Sequence, residues 1–133
     1  MDLHKPRCIN ENLVIIDGLS RSGKFYMGKL VSGLMGLEYF IASSEVERII
    51  QAGLTGTISK ESASAWMAVA VNEEIYKRAI GRDMNLRTDD SSSILNSWEK
   101  ENYLSRKDKE AGWEVVKKIL VKTDIQFSFC INL

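Results

Sequence analysis

Apolar and polar positions change their period several times along the chain, and each change marks an element. The run Leu13-Val14-Ile15-Ile16 is short and continuously apolar, which predicts a buried strand. Between Lys24 and Met35 the residues Met27, Leu30, Val31, Leu34 and Met35 recur at helical spacing, predicting a helix with these side chains on its inner face and Gly36 as its stop. Leu37 to Ile41 reads as a second short strand. Ser44-Glu45-Val46-Glu47 then has the pattern of a capping box and predicts a helix through Gln51. A turn over 54–59 separates it from a long predicted helix, Lys60 to Ile80, whose apolar side carries Trp66, Met67, Ala70, Ile75 and Tyr76 and which Gly81 ends. Residues 82–93 are polar enough to be a loop. Residues 94–121 predict one or two helices anchored by Ile94, Leu95, Trp98, Trp113, Val116, Ile119 and Leu120, and Ile125 to Ile131 alternates as a final strand.

Strand, loop, helix, strand and helix in that order predict an α/β protein, with a parallel sheet covered by helices on both faces in a three-layer αβα arrangement. Such sheets usually have more than three strands, and here the sequence stops at Leu133 just after the last one. The expectation is therefore one domain that is the N-terminal part of a larger one, the alternative being a small protein that completes its sheet by dimerising.

The chemistry concentrates where the first strand meets the first helix. Gly18-Leu19-Ser20-Arg21-Ser22-Gly23-Lys24 has the Gly-x-x-x-x-Gly-Lys spacing of a phosphate-binding P-loop, in the strand-to-helix context that such a loop needs. Gly18 and Gly23 let the backbone approach an anion closely. The helix N-terminus offers free N–H groups and the positive end of its dipole. Lys24 adds a point charge, Arg21 a fork able to hold two oxygens, and Ser20 and Ser22 hydroxyl donors. Next comes Phe25, where a metal-dependent nucleoside triphosphatase carries a Ser or Thr that ligates magnesium. A phenyl ring cannot do so, so either other groups hold the metal or the reaction needs none.

Lysine plus arginine equals aspartate plus glutamate, 18 of each, so the chain lacks the basic field of a polynucleotide binder. Cys8 and Cys130 form no paired motif and His4 is the one histidine, which argues against zinc and for reduced thiols in a cytoplasmic protein. The first seven residues lack the apolar core of a signal peptide, and the longest apolar run, Ala65 to Val71, is too short to span a bilayer. Arg82 and Arg87 flank Asp83 and Asn85 in the polar loop. They either reach toward a bound anion or pair with Asp83, Asp89 or Asp90 at the surface. Trp66 and Met67 read as core, and the mixed charges of Glu99 to Glu110 as a solvated surface.

Arg21-Ser22-Gly23 also resembles the 5′-phosphosulfate loop of the sulfotransferases, in which a basic residue precedes Ser-Gly-Thr; Lys24 departs from that Thr. The wider stretch from Asp17 to Ile119, including Gly81-Arg82-Asp83-Met84-Asn85-Leu86-Arg87, is similar to a group of uncharacterised bacterial and phage sulfotransferase-like proteins. The resemblance implies a cytoplasmic enzyme that binds 3′-phosphoadenosine 5′-phosphosulfate through Gly18, Leu19, Ser20, Arg21, Ser22, Gly23, Lys24 and Phe25. It would pass the sulfuryl group to an unidentified acceptor, with Lys24 and Arg21 stabilising charge. The family's second nucleotide motif would lie beyond residue 133. The competing reading is a P-loop kinase or NTPase that takes ATP or GTP with magnesium. It is weakened by Phe25 and by Asn132, which stands where an acid would end the last strand. A third is a truncated, non-catalytic remnant of the fold.

Overall fold

The two ends of the chain meet in one sheet. A computed structural model describes residues 8–10, 12–35, 37–107, 112–123 and 127–131. In it β1 (Leu13–Asp17) pairs in parallel with β2 (Phe127–Ile131), in a register that sets Leu13 beside Phe127 and Asp17 beside Ile131. All the helices lie between these strands in sequence: α1 (Lys24–Met35), α2 (Ser44–Leu54), α3 (Lys60–Ala79), a single 3₁₀ turn at Ile94–Asn96, α4 (Lys100–Arg106) and α5 (Trp113–Thr123). A parallel pair needs such a crossover, because a tight hairpin can join only antiparallel strands.

The strand expected at Leu37 to Ile41 is reduced to a single bridge. Ile41 donates its N–H to Ser128 O at 2.8 Å and accepts from Cys130 N at 2.9 Å, so β2 runs between β1 and Ile41. Upstream the backbone bonds to side chains instead of to a neighbouring strand. Glu38 O accepts from the Ser32 and Ser128 hydroxyls, and Tyr39 N–H donates to the Tyr103 hydroxyl. These groups are satisfied without a ladder, and so the segment stays extended but unpaired. The described residues thus form a mixed α/β unit with a small two-stranded parallel sheet in place of the full three-layer sheet that the sequence suggests.

Alternation along β2 sorts its side chains onto two faces. Phe129 and Ile131 join Ile41, Val46, Ile49, Val71 and Ile75 in the core beneath α2 and α3. Cys130 points the other way, into a cluster with Tyr39, Phe40, Ile94 and Tyr103, against which Phe25 and Ile16 pack. On that side α1 lies over the sheet, turned differently from the expectation. Its buried positions are Lys24, Gly28 and Ser32, one residue per turn, whereas Met27 and Leu30 are 52 % and 37 % exposed. Gly28 explains the rotation. A Cβ there would sit 2.8 Å from the Phe40 ring and 2.9 Å from Cys130 Sγ, so the helix backbone itself makes the contact with the core. The side chains of Leu34 and Met35, and Gly36, lie outside the described residues, as do 125–126 of the predicted last strand, Asn132 and His4.

Other expected anchors also face outward. Trp66 stands on the side of α3 opposite Ile75, because nine residues at 100° each make a half turn, and it is 57 % exposed. Trp98 is 80 % exposed. Trp113 keeps a partner, stacking on Tyr76 at 6.4 Å. The cap of α2 falls on Ser43 instead of Ser44: the Ser43 hydroxyl accepts from Val46 N, bonds Glu74 Oε1 at 3.1 Å, and is buried with the helix end. The α3 terminus meets the expectation at Gly81, whose φ of 69° lets Arg82 N reach Lys77 O at 2.8 Å and close the helix end.

One of the buried charges is a carboxylate. Glu38, 3 % exposed, forms an ion pair with Arg106 of α4, whose guanidinium also lies 4.9 Å from the Tyr103 ring. This pair ties α4 to the segment leading to Ile41. Burial pulls the Arg78 guanidinium on α3 below its usual range, and the nearby Glu38 carboxylate opposes that pull.

Candidate functional site

The 18–25 loop starts where β1 ends, at the carboxyl edge of the parallel strands, the edge at which open α/β sheets hold ligands. Asp17 Oδ1 accepts from Gly18 N at 2.6 Å, and Ser22 N donates to Leu19 O at 3.1 Å, which turns the chain sharply. Two residues then take left-handed backbone angles: Arg21, with φ of 63°, and Gly23, with φ of 83°. Glycine adopts this conformation freely. For arginine it costs about 1–2 kcal/mol, a strain that the loop retains at the position of its exposed cation.

α1 follows at once, with Met27 N bonded to Gly23 O at 3.0 Å. The N–H groups of Lys24, Phe25 and Tyr26 precede any intrahelical acceptor, and the first turn carries no acidic residue to offset the dipole. Ser20, Arg21, Gly23, Lys24 and Phe25 line a cavity of about 410 Å³ above this helix end. Within the size range of ligand pockets, it has room for the phosphate end of a nucleotide.

The structure brings the expected residues together in different states. Lys24 is only 7 % exposed, and its ammonium donates to Gly18 O at 2.9 Å and Leu19 O at 3.0 Å. Two of its three donors thus brace the loop. Arg21, Ser20 and Ser22 are exposed, and Arg21 makes no ion pair or hydrogen bond with described residues. Leu19 projects its apolar side chain outward, 76 % exposed. Phe25 is half-buried and stacks on Phe40 at 5.2 Å, so its ring fixes the first turn of α1 to the core while one edge lines the cavity. Gly18 leaves room for the Ser22 hydroxyl, which lies 2.8 Å from the place a Cβ would take. Beneath the loop, burial pushes the Cys130 thiol up to about 11, with the Lys24 charge pulling weakly the other way, so it stays protonated against Lys24 O. Cys8 is half-buried, and both thiols are free.

Arg82 and Arg87 part company in the structure. Arg87 borders a shallow surface depression with Asp89, Asp90 and Ser91. Asp90 is itself held below the usual carboxylate range by hydrogen bonds from the Ser92 amide and hydroxyl and from Asn85. Asp83 pairs with Lys77 at 3.6 Å and with neither arginine. Arg82 instead enters a separate cleft of about 80 Å³ beside Ile41 and Ala42, together with Glu74, Arg78, Asn85 and Ser92. Sequence reasoning passed over Glu74 and Arg78. Their one available signal was the four-residue spacing of Glu74 and Arg78, which sets them on one side of α3, with Arg82 just past its end.

Compared with known protein families, curated proteins and solved structures, the chain matches none. Among the described residues, no cluster of three His, Cys, Asp or Glu side chains could hold a metal ion, and no helix is long and apolar enough to cross a membrane.

Proposed function

We propose that the protein is a sulfotransferase-like P-loop protein that binds 3′-phosphoadenosine 5′-phosphosulfate through residues 18–25 and serves sulfuryl transfer to a hydroxyl or amine acceptor. The observation that carries this reading is the pairing of a cationic, helix-capped loop with Phe25 stacked into the core. Lys24, Arg21 and the free amides supply what an anion needs. The position that would hold magnesium for a triphosphate is spent on packing. The bound phosphosulfate would bring an activated sulfuryl group with a bisphosphate leaving group. The chain's own part is electrostatic: Lys24 and Arg21 neutralise charge that grows on the leaving phosphate, at a helix end already positive.

The P-loop kinase reading rests on the Gly-x-x-x-x-Gly-Lys spacing, and one experiment separates the two. The purified chain is titrated with adenosine 3′,5′-bisphosphate and with ATP, each with and without magnesium, following thermal stability. Magnesium-independent stabilisation by the bisphosphate supports sulfuryl chemistry, magnesium-dependent stabilisation by ATP moves the assignment to a kinase, and stabilisation by neither refutes both. Arg21→Ala is the cleaner probe of the loop, since the Arg21 side chain bonds to none of the described residues. Losing its charge-assisted bonds, each about 1.5–3 kcal/mol, should weaken bisphosphate binding roughly ten- to hundredfold with little change in unliganded stability. Lys24→Ala should lose as much affinity and some stability too, because Lys24 also holds Gly18 and Leu19.

A further inference from the structure

The cleft beside Ile41 shares an edge of the molecule with the phosphate loop. β1 ends in the loop, Ile41 ends in Ala42 at the cleft, and β2 lies between them with all three segments parallel. Their carboxyl ends therefore open on one side, two interstrand spacings or about 10 Å apart. The lining of the cleft is charged and unevenly compensated. Lys77 is engaged by Glu73 at 2.8 Å and by Asp83 at 3.6 Å. Glu74 is held by the Ser43 hydroxyl at 3.1 Å. The Arg78 guanidinium has one long bond, to Phe40 O at 3.4 Å, which leaves most of its donors without a hydrogen-bond partner among the described residues, and the Glu38 carboxylate balances part of its charge. Arg82 makes no ion pair or side-chain hydrogen bond with described residues. Asn85 Nδ2 donates to Ser92 Oγ at 2.8 Å, which in turn donates to Asp90 Oδ1 at 2.9 Å, fixing the far wall.

We propose that this cleft is a second binding site, for the oxyanion group of a small molecule such as a carboxylate or a phosphate ester, with Arg82 and Arg78 as the binding cations. Of the three cations in the lining, Lys77 is paired with Glu73 and Asp83 and Arg78 is partly balanced by Glu38, which leaves Arg82 as the cation without an ion-pair partner among the described residues and suits the site to a monoanion. A cavity of about 80 Å³ takes the anionic group and leaves the remainder of the molecule to extend along the edge toward the loop. In the transfer reaction this molecule is the acceptor. That assignment rests on the proposed function, whereas the anion site itself does not. Glu74, at the same mouth, is placed to accept a hydrogen bond from an acceptor hydroxyl and orient it.

The test uses the full chain labelled with ¹⁵N and inorganic phosphate as the probe, raised to about 10 mM so that a Kd near 1 mM is visible. The expected result is a saturable shift of the Asn85 side-chain amide and the Ser92 backbone amide that persists in Lys24→Ala. In Arg82→Gln it should be weakened roughly tenfold or more, while the fold is kept, since this exposed side chain makes no ion pair or hydrogen bond with described residues. Shifts confined to 18–25, or an Asn85 response indifferent to Arg82→Gln, would overturn the site. Saturating adenosine 3′,5′-bisphosphate should leave the phosphate response at Asn85 in place; competition between the two would overturn the assignment as acceptor site. A failed loop assignment reads out separately, as absent bisphosphate shifts at Gly18 to Lys24.

Discussion

Replacing Gly28 by Ala puts a methyl group where α1 meets the sheet. That carbon would lie 2.8 Å from Phe40 Cδ1 and 2.9 Å from Cys130 Sγ, against a favourable carbon separation of about 3.5–4.0 Å. Neither neighbour can yield. Phe40 is 1 % exposed and held between Phe25 at 5.2 Å and Tyr39 at 4.8 Å, and Cys130 is fully buried. The helix must instead retreat by roughly 0.7–1 Å, at the 1–3 kcal/mol typical of overpacking, while alanine returns about 1 kcal/mol of helix propensity. The net expectation is a loss of about 0–2 kcal/mol. Gly33→Ala in the same helix is the internal control. Its methyl meets only the Trp98 indole, 2.6 Å away at Cδ1, but Trp98 is 80 % exposed and free to swing aside, so this variant should gain up to about 1 kcal/mol. Urea unfolding followed by tryptophan fluorescence measures both. Because Lys24 lies one turn before Gly28, the same retreat should displace it from a bound anion, and misplacement near 1 Å costs up to about a hundredfold in a positioned site. Calorimetric titration with adenosine 3′,5′-bisphosphate reads that part. Equal stability of the two variants would refute the close-contact account of α1, and unchanged bisphosphate affinity in Gly28→Ala would refute its role in setting Lys24.

Two further outcomes follow from buried groups. Arg106→Leu leaves the Glu38 carboxylate buried without its cation and should cost about 3–5 kcal/mol, whereas the double variant with Glu38→Met should recover most of it; a single-variant loss below about 1 kcal/mol in urea unfolding would contradict the buried pair. Burial pushes the Cys130 thiol from its ordinary 9.0 up to about 11, so above pH 9 the unfolded chain should release a proton that the native one keeps. Stability should therefore fall by about 2–3 kcal/mol between pH 9 and 11, and Cys130→Ala should remove that part of the slope; an identical pH profile in the variant would show that the thiol is not responsible.

The elements nearest the site were legible because their signals are local. The apolar run of β1, Gly23 ahead of Lys24 and the helical repeat after it set the strand, the turn and the start of α1 to within a residue. The bounds expected for α3, Lys60 to Ile80, were equally local and match the observed Lys60–Ala79 to within a residue, with Gly81 at its end. Position in sequence also brought Arg21, Lys24 and Phe25 to one cavity. It did not tell that Phe25 would be held by Phe40, or that Lys24 would fold back onto loop carbonyls.

What periodicity left undecided was orientation and partnership across the chain. Met27, Leu30 and Trp66 fit a helical repeat but lie off the buried stripes, since a helix packs by the shape of the surface it meets, and here small residues permit the closest approach; Trp98 falls in the turn before α4 and not on a helix. The segment before Ile41 has a strand's composition, yet the Ser32, Ser128 and Tyr103 side chains take its backbone groups. The ion pair of Glu38 with Arg106, and the gathering of Glu74, Arg78 and Arg82 beside Ile41, join positions far apart in sequence. Local sequence determined most of the elements and the turn at 18–25 through short-range backbone preferences. Tertiary packing decided which faces were buried and which charges met, because those free energies depend on neighbours brought together only when the chain closes on itself.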